Sequence, residues 1–273
     1  MLRISAFSTF FFLLLGTPLT AQPIWVDTGT NNFVALEILK PNFSSRANTT
    51  FATSTIFLSG RFRTSDNAFF VGELPFAHRG FDNGPRIANS ETAVGNPYLG
   101  MEFHHPDRNT FWEIGIRLPI VPENNSSAKS LGRDSDFDRF EAFLHNFVTV
   151  LGKVNFMPES SSNLTPRIRV GPTVLIPIGE PAETADIELF LDYSAQVGYN
   201  GQRFGFLAGL TGRLFVSEDE LDFSERTFHH LGIAANVAFD NVRPGIHLRL
   251  PLDEFITDRV DFIFGVNLAV QLP

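Results

Sequence analysis

Residues 203–216 read Arg203-Phe204-Gly205-Phe206-Leu207-Ala208-Gly209-Leu210-Thr211-Gly212-Arg213-Leu214-Phe215-Val216 and alternate without interruption. Phe204, Phe206, Ala208, Leu210, Gly212, Leu214 and Val216 fall on one face, and Arg203, Gly205, Leu207, Gly209, Thr211, Arg213 and Phe215 on the other. Successive side chains of a strand point to opposite faces. A wholly apolar face backed by a mixed polar one therefore describes a strand standing between lipid and a hydrated interior. The length also suits, because a tilted strand crosses the hydrocarbon core in ~9–11 residues.

The same period of two recurs along the chain and predicts about twelve strands. Their apolar faces run Val34–Ile38, Ile56–Phe62, Phe70–Phe76, Leu99–Phe103, Trp112–Leu118, Val148–Phe156, Ile168–Ile176, Ile187–Val197, then the Phe204 strand, Leu231–Phe239, Ile246–Leu250 and Val260–Leu272. Short links with turn chemistry stand at Thr64–Asn67, Pro106–Asn109, Asn200-Gly201 and Asp240-Asn241. Between them lie the longer links Pro41–Thr50, Ala77–Asn96, Pro119–Asn146 and Ser217–Arg226. Short links on one rim and long ones on the other, with an even strand count, match a transmembrane antiparallel up-and-down β-barrel. Leu74-Pro75, Leu118-Pro119, Ile176-Pro177 and Leu250-Pro251 all fall on the long-loop side, where a residue without an N–H ends pairing.

At 273 residues, with no linker or shift of composition, the chain reads as one domain. Met1–Ala21 carries Arg3, the apolar run Phe7–Leu15 and a Leu19-Thr20-Ala21 end, which predicts an export signal peptide and a mature barrel over 22–273. No later segment approaches a ~20-residue apolar helix. The chain has no cysteine, so disulfides contribute nothing and a lipoprotein anchor is excluded. With 21 Lys+Arg against 30 Asp+Glu the formal charge is −9, which argues against nucleic acid as a partner. Aromatic residues are nearly all phenylalanine, so the usual Tyr/Trp girdle is thin.

One segment departs from the alternation. Phe137, Phe140, Phe143, Leu144 and Phe147 recur at helical spacing after Asp134-Ser135-Asp136, which predicts one short helix in an outer loop, packed on the loops or the rim. The alternative is a constriction folded into the barrel mouth.

The parity opposite the apolar faces assigns the interior. It carries Glu37, Glu73, Glu102, Glu113, Glu188, Asp192 and Asp261 against Arg61, Arg63, Arg117, Lys153, Arg167, Arg169, Arg213 and Arg249, with His247 beside them. Acids and bases nearly balance, and charge in a narrow barrel must be paired or hydrated. The expectation is a lumen lined by cross-strand ion pairs, around a small pathway or filling the barrel as a sealed polar core.

No motif assigns catalysis. Ser194, Asp192 and His247 share the interior parity without a nucleophile elbow, and Glu188 with Asp192 lies among too many arginines to be an acid pair. His104-His105 and His229-His230 fall on opposite rims, lack zinc spacing, and read as surface or rim histidines. His145 is expected within reach of the second pair from the outer loop. The acidic run Glu218-Asp219-Glu220 reads as a solvated loop tip. No enzyme activity, cofactor or metal is expected.

Several phrases resemble outer-membrane barrels of a putative transporter family linked to the meta pathway of phenol degradation. They are Gly60–Asn67 running into Val71–Phe76, then Gly95–Glu102, and Val170–Gly179. The resemblance implies an outer-membrane barrel passing small, apolar molecules, and carries over no substrate and no site residue. The Gln271-Leu272-Pro273 end departs from the aromatic terminus that many bacterial barrels present to the assembly machinery, and Pro119–Asn146 has no counterpart in the family's pattern. The expected partners are outer-membrane lipid, a small solute and that assembly machinery.

Overall fold

The computed structural model describes residues 24–26, 32–44, 49–81, 90–105, 109–158, 163–179, 185–218 and 220–273. The predicted signal peptide 1–21, the turn residues 106–108 and Asp219 lie outside the described residues.

The strands are β1 (Phe33–Phe43), β2 (Ser54–Ser65), β3 (Ala68–Gly80), β4 (Ser90–Val94), β5 (Tyr98–His104), β6 (Thr110–Arg117), β7 (Phe147–Phe156), β8 (Leu164–Pro177), β9 (Glu188–Asn200), β10 (Phe204–Phe215), β11 (Thr227–Val237), β12 (Val242–Pro251) and β13 (Val260–Gln271). Each pairs antiparallel with its neighbours, and β1 closes on β13. The β4 and β5 segments both pair with β3, at Phe76–Gly80 and Ala68–Glu73 respectively. They are therefore one stave, interrupted at Gly95-Asn96-Pro97, and the barrel has the predicted twelve. Closure of β1 on β13 removes the edge around the barrel, which a structure in lipid requires because nothing outside can bond a free backbone group, and β4 alone pairs on one side only, with β3.

The alternation settles which side faces out. Leu58, Ile114, Ile168, Val197, Phe206, Ile233, Ile246 and Val266 are exposed, while their sequence neighbours Phe57, Glu113, Leu207, His247 and Asn267 are buried. The hairpin at Asp240-Asn241 turns in two residues, with Phe239 bridging Val242 and Asp240 in the left-handed region at φ 48°.

Two expectations of the strand reading are corrected. Leu74-Pro75 does not end β3, which continues to Gly80. Pro75 stands opposite the interruption at residues 95–97, where an extra residue bulges from the neighbouring stave, so its missing N–H breaks no ladder pair. Asp261 is exposed and not interior. Asn42 pairs with Phe262 but Phe43 with Val260, so one extra residue of β13 bulges there and parity inverts, turning Val260 inward and Asp261 out to Asn42 Nδ2 at 3.0 Å.

The short helix expected in an outer loop is present, but it precedes the phenylalanines. The β6–β7 connection contains α1 (Ser126–Ser135) and then a 3-10 segment (Phe137–Phe143), while a single turn, α2 (Glu254–Thr257), follows β12. Asn125 makes no side-chain cap for α1. Instead Glu91 Oε2, from β4, accepts from the Ser127 and Ala128 backbone N–H groups at 2.9 and 3.3 Å and complements the helix N-terminus. Asp136 caps the 3-10 segment by accepting from Asp138 N at 3.1 Å. Gly132 lets the two pieces close, since a Cβ there would meet the Phe143 ring at 2.4 Å.

Candidate functional site

Cross-strand register brings the inward acids and bases together. Arg61 forms a two-pronged pair with Glu102, both fully buried, with the Phe69 ring 3.6 Å beneath the guanidinium and His104 Nε2 2.8 Å from Arg61 Nη2. Tyr98 donates to Glu113, which also accepts from Arg169 Nη2 at 2.8 Å. Lys153 donates to Asp192 and, at 2.9 Å, to Thr173 Oγ1, while Arg213 Nε meets the other Asp192 oxygen at 2.5 Å. Each such charge is tolerable only because its partner is present, and deleting one partner of a buried pair costs about 3–5 kcal/mol.

The insertion between β6 and β7 completes this network from within. Arg139 donates to Glu73 Oε2 at 2.5 Å, to Asp136 Oδ2 at 2.5 Å and to Glu37 of β1. Glu37 also accepts from Arg249 Nη2 at 2.6 Å, and Arg249 Nη1 lies 3.1 Å from Asp136 Oδ2. Glu141 bridges Arg213, at 2.9 Å, and Arg117, at 3.5 Å, whose Nη2 donates to Glu73 at 2.7 Å. Only a segment lying inside the barrel can reach β1, β3, β6, β10 and β12 together. Helix and 3-10 segment therefore form a plug, not a covering on the outer rim. Burial by itself would raise the Asp136 carboxyl's pKa, but Arg139 and Arg249 outweigh it and hold the group well below the usual carboxylate range.

An apolar seam anchors the same plug. Ala128, Ala142 and Phe143 pack with Leu39, Phe57, Ala77, Ala93, Val260 and Ile263, and the Phe143 and Phe57 rings meet edge to face at 6.2 Å. This explains why the segment's phenylalanines recur at helical spacing: they fill the barrel, and spacing alone does not say which surface they cover.

A second segment lies inside. The Trp25 ring covers Gly232 of β11, its Nε1 lies 3.4 Å from Asp138 Oδ2 on the plug, and Ile24 O accepts from Gln196 at 3.3 Å. Between the two segments and the wall remain small cavities. Among the described residues one of these is about 50 Å³, bordered by Glu73, Glu113, Arg117, Arg139, Lys153 and Asp192, and two others are about 30 Å³ each. Such spaces accommodate waters and nothing the size of an organic solute.

The interior assignments thus stand as follows. Arg61, Glu102, Glu113, Arg117, Lys153, Arg213, His247 and Arg249 are buried, and Glu73, Arg169 and Asp192 join the network with little exposure. Arg167 borders the cavity near Arg169 and Gln196. Arg63 is exposed at the short-turn mouth, 5.3 Å from the Phe69 ring. Glu188 is only partly buried, at the first residue of β9 on the long-loop side. Asp192 is committed to Lys153 and Arg213, so it does not join Ser194 and His247 in a triad. The reading of the histidine pairs as surface or rim groups holds for His105, which is exposed, and for His229 on the outer face, and is corrected for their neighbours: His104 turns in to Glu102, and His230 is buried against the Phe137 ring at 5.4 Å. His145 approaches neither, since its Nδ1 meets Val121 O at 2.8 Å. Glu141, Asp136 and Arg139, the centre of the network, were not foreseen, because they lie outside any alternating segment.

No family model matches the chain, and no curated protein matches it in sequence. Solved structures do resemble it in fold. An outer membrane channel from Pseudomonas putida F1 superposes with a TM-score of 0.58 at 10% identity, over 93% of this chain and 100% of that one. LpxR from Salmonella typhimurium gives 0.54 at 10% identity, covering 88% of this chain and 100% of its own. The NanC porin gives 0.52 at 8% identity, again over 88% and 100%. At such identities the likeness is one of fold, and all three cover a whole chain.

Proposed function

We propose that this protein is an exported outer-membrane barrel of a Gram-negative-type bacterium that passes a small solute, and that the plug formed by α1 and the 3-10 segment governs the pathway. The observation carrying this reading is the plug's attachment. Its inner end is held to the wall by reversible charge contacts from Arg139, Asp136 and Glu141, in an interior that is otherwise polar and ready to hydrate once they part. Porins and a channel among the similar folds support the transport class, and the phrases resembling the family linked to phenol degradation favour a small, apolar solute.

A second reading is favoured by the small cavities among the described residues that the interior charges line, of about 50 and 30 Å³. In it the ion pairs lock a non-conducting barrel whose outer loops bind a partner. Single-channel recording separates the two. Passage predicts discrete openings in the wild type that become longer or larger when Arg139→Ala loosens the plug. Silence from both proteins at every voltage, with folding verified by heat-modifiable migration, favours the sealed barrel.

A further inference from the structure

One step of parity away from the ion pairs, the outer face carries a different constellation. Tyr193, Gly212 and His229 are register partners across β9, β10 and β11. Gly212 has no side chain, and the Tyr193 ring lies over it, so a Cβ there would meet that ring at 2.4 Å. Across this gap Tyr193 Oη lies 2.6 Å from His229 Nε2. On the far side His229 Nδ1 lies 3.1 Å from Asp253 Oδ1, and the backbone N–H of His229 donates to Asp253 Oδ2. Asp253 stands at the N-cap of α2 but makes no side-chain cap bond. Its carboxylate is given to the histidine instead. With Nδ1–H held by the carboxylate, Nε2 is the acceptor and Tyr193 the donor, which is the order of nucleophile, base and orienting acid.

The surroundings say what such a group would meet. Leu231 and Leu250, both exposed, flank it on the outward face. Counting up β11 from Val237, His229 is the ninth residue, and a tilted strand spans hydrocarbon in ~9–11. Asp253 lies beyond the end of β12. On the outer-membrane reading proposed above, on which this inference rests, that count puts the relay near the level where an acyl chain gives way to its head group and a lipid's ester carbonyl lies.

We propose that Tyr193, His229 and Asp253 form an acyl-transfer site on the outside of the barrel, acting on ester-linked lipid of the leaflet on the long-loop side. His229 Nε2 takes the phenolic proton as Tyr193 Oη bonds to the ester carbonyl carbon. The ester C–O bond then breaks and the departing alkoxide takes that proton from His229. Water, deprotonated by the same nitrogen, cleaves the acyl-tyrosine, releasing the carboxylic acid and restoring Tyr193.

The chain has three tyrosines, which supply internal controls: Tyr98 is buried, and Tyr199 shares the strand and face of Tyr193 with 39% exposure. The full chain, folded in detergent micelles, is exposed to p-nitrophenyl laurate. p-Nitrophenolate release is followed, and the acylated residue is located by peptide mass spectrometry. The proposal expects acylation at Tyr193 in preference to Tyr199, release lost in Tyr193→Phe and retained in Tyr199→Phe, and a fall of ~100-fold or more in His229→Gln, the scale of a lost general base. Equal modification of Tyr193 and Tyr199, release indifferent to His229→Gln, or wild-type release no faster than that of Tyr193→Phe overturns it and leaves the three side chains as a rim hydrogen-bond network. Heat-modifiable migration of each variant separates loss of chemistry from loss of fold.

Discussion

The wall and the plug are held together by different physics. In the wall every strand bonds its neighbours through the backbone, and the outward side chains have only to be apolar, so many sequences satisfy it. The plug has no ladder. Its position depends on Arg139 meeting Glu37, Glu73 and Asp136, on Glu141 meeting Arg117 and Arg213, and on Phe143 finding Phe57. The wall is tolerant and strongly patterned, whereas the plug is specific and weakly patterned. On the transport reading proposed above that division is useful, since the part that would move is not the part that closes the barrel.

Replacing residues 124–144 by a flexible linker tests the division most severely. The barrel should still assemble and migrate heat-modifiably, while conductance rises to that of an open pore. Failure to assemble would mean that wall and plug fold as one unit. Arg139→Ala leaves three carboxylates without their central partner and should cost about 3–5 kcal/mol, read as a lower urea midpoint in detergent. On the wall, Val266→Arg should cost about 2–4 kcal/mol in vesicle refolding, because a charge near mid-bilayer loses its solvent. That cost should leave conductance alone, in contrast to Arg139→Ala. The smallest effect belongs to the second inner segment. Gly232→Ala sets a methyl against the Trp25 ring, where a Cβ would lie 2.2 Å away. Overpacking of ~1–3 kcal/mol should appear as a red shift of tryptophan emission, with Trp112 on the outer face as the unshifted reference.

Legibility in the sequence followed the same boundary. Twelve staves, their inward and outward faces and the Asp240-Asn241 hairpin were readable because a period of two leaves an imprint on every residue. Where the period slips by one the reading failed. The bulge at Asp261 reversed two side chains, and the interruption at Gly95-Asn96-Pro97 kept Pro75 inside a continuous strand. Most of the interior charges were found by parity, but not their partners, since Glu37, Glu73 and Asp136 converge on one arginine from separate parts of the chain. The phenylalanines of 137–147 announced a compact segment and were silent about its side of the wall. His229 and His230 look alike in sequence, yet one lies on the outer face with Tyr193 and the other is buried beneath Phe137.

By itself the sequence determined the barrel, because alternation between oil and water is a local property that each residue records with its neighbours. Only the tertiary structure decided that the interior is plugged, which acid meets which base, and that a tyrosine and a histidine bond across a glycine. Those pairings join side chains far apart in the chain, and no periodicity along a chain encodes a distance across a barrel.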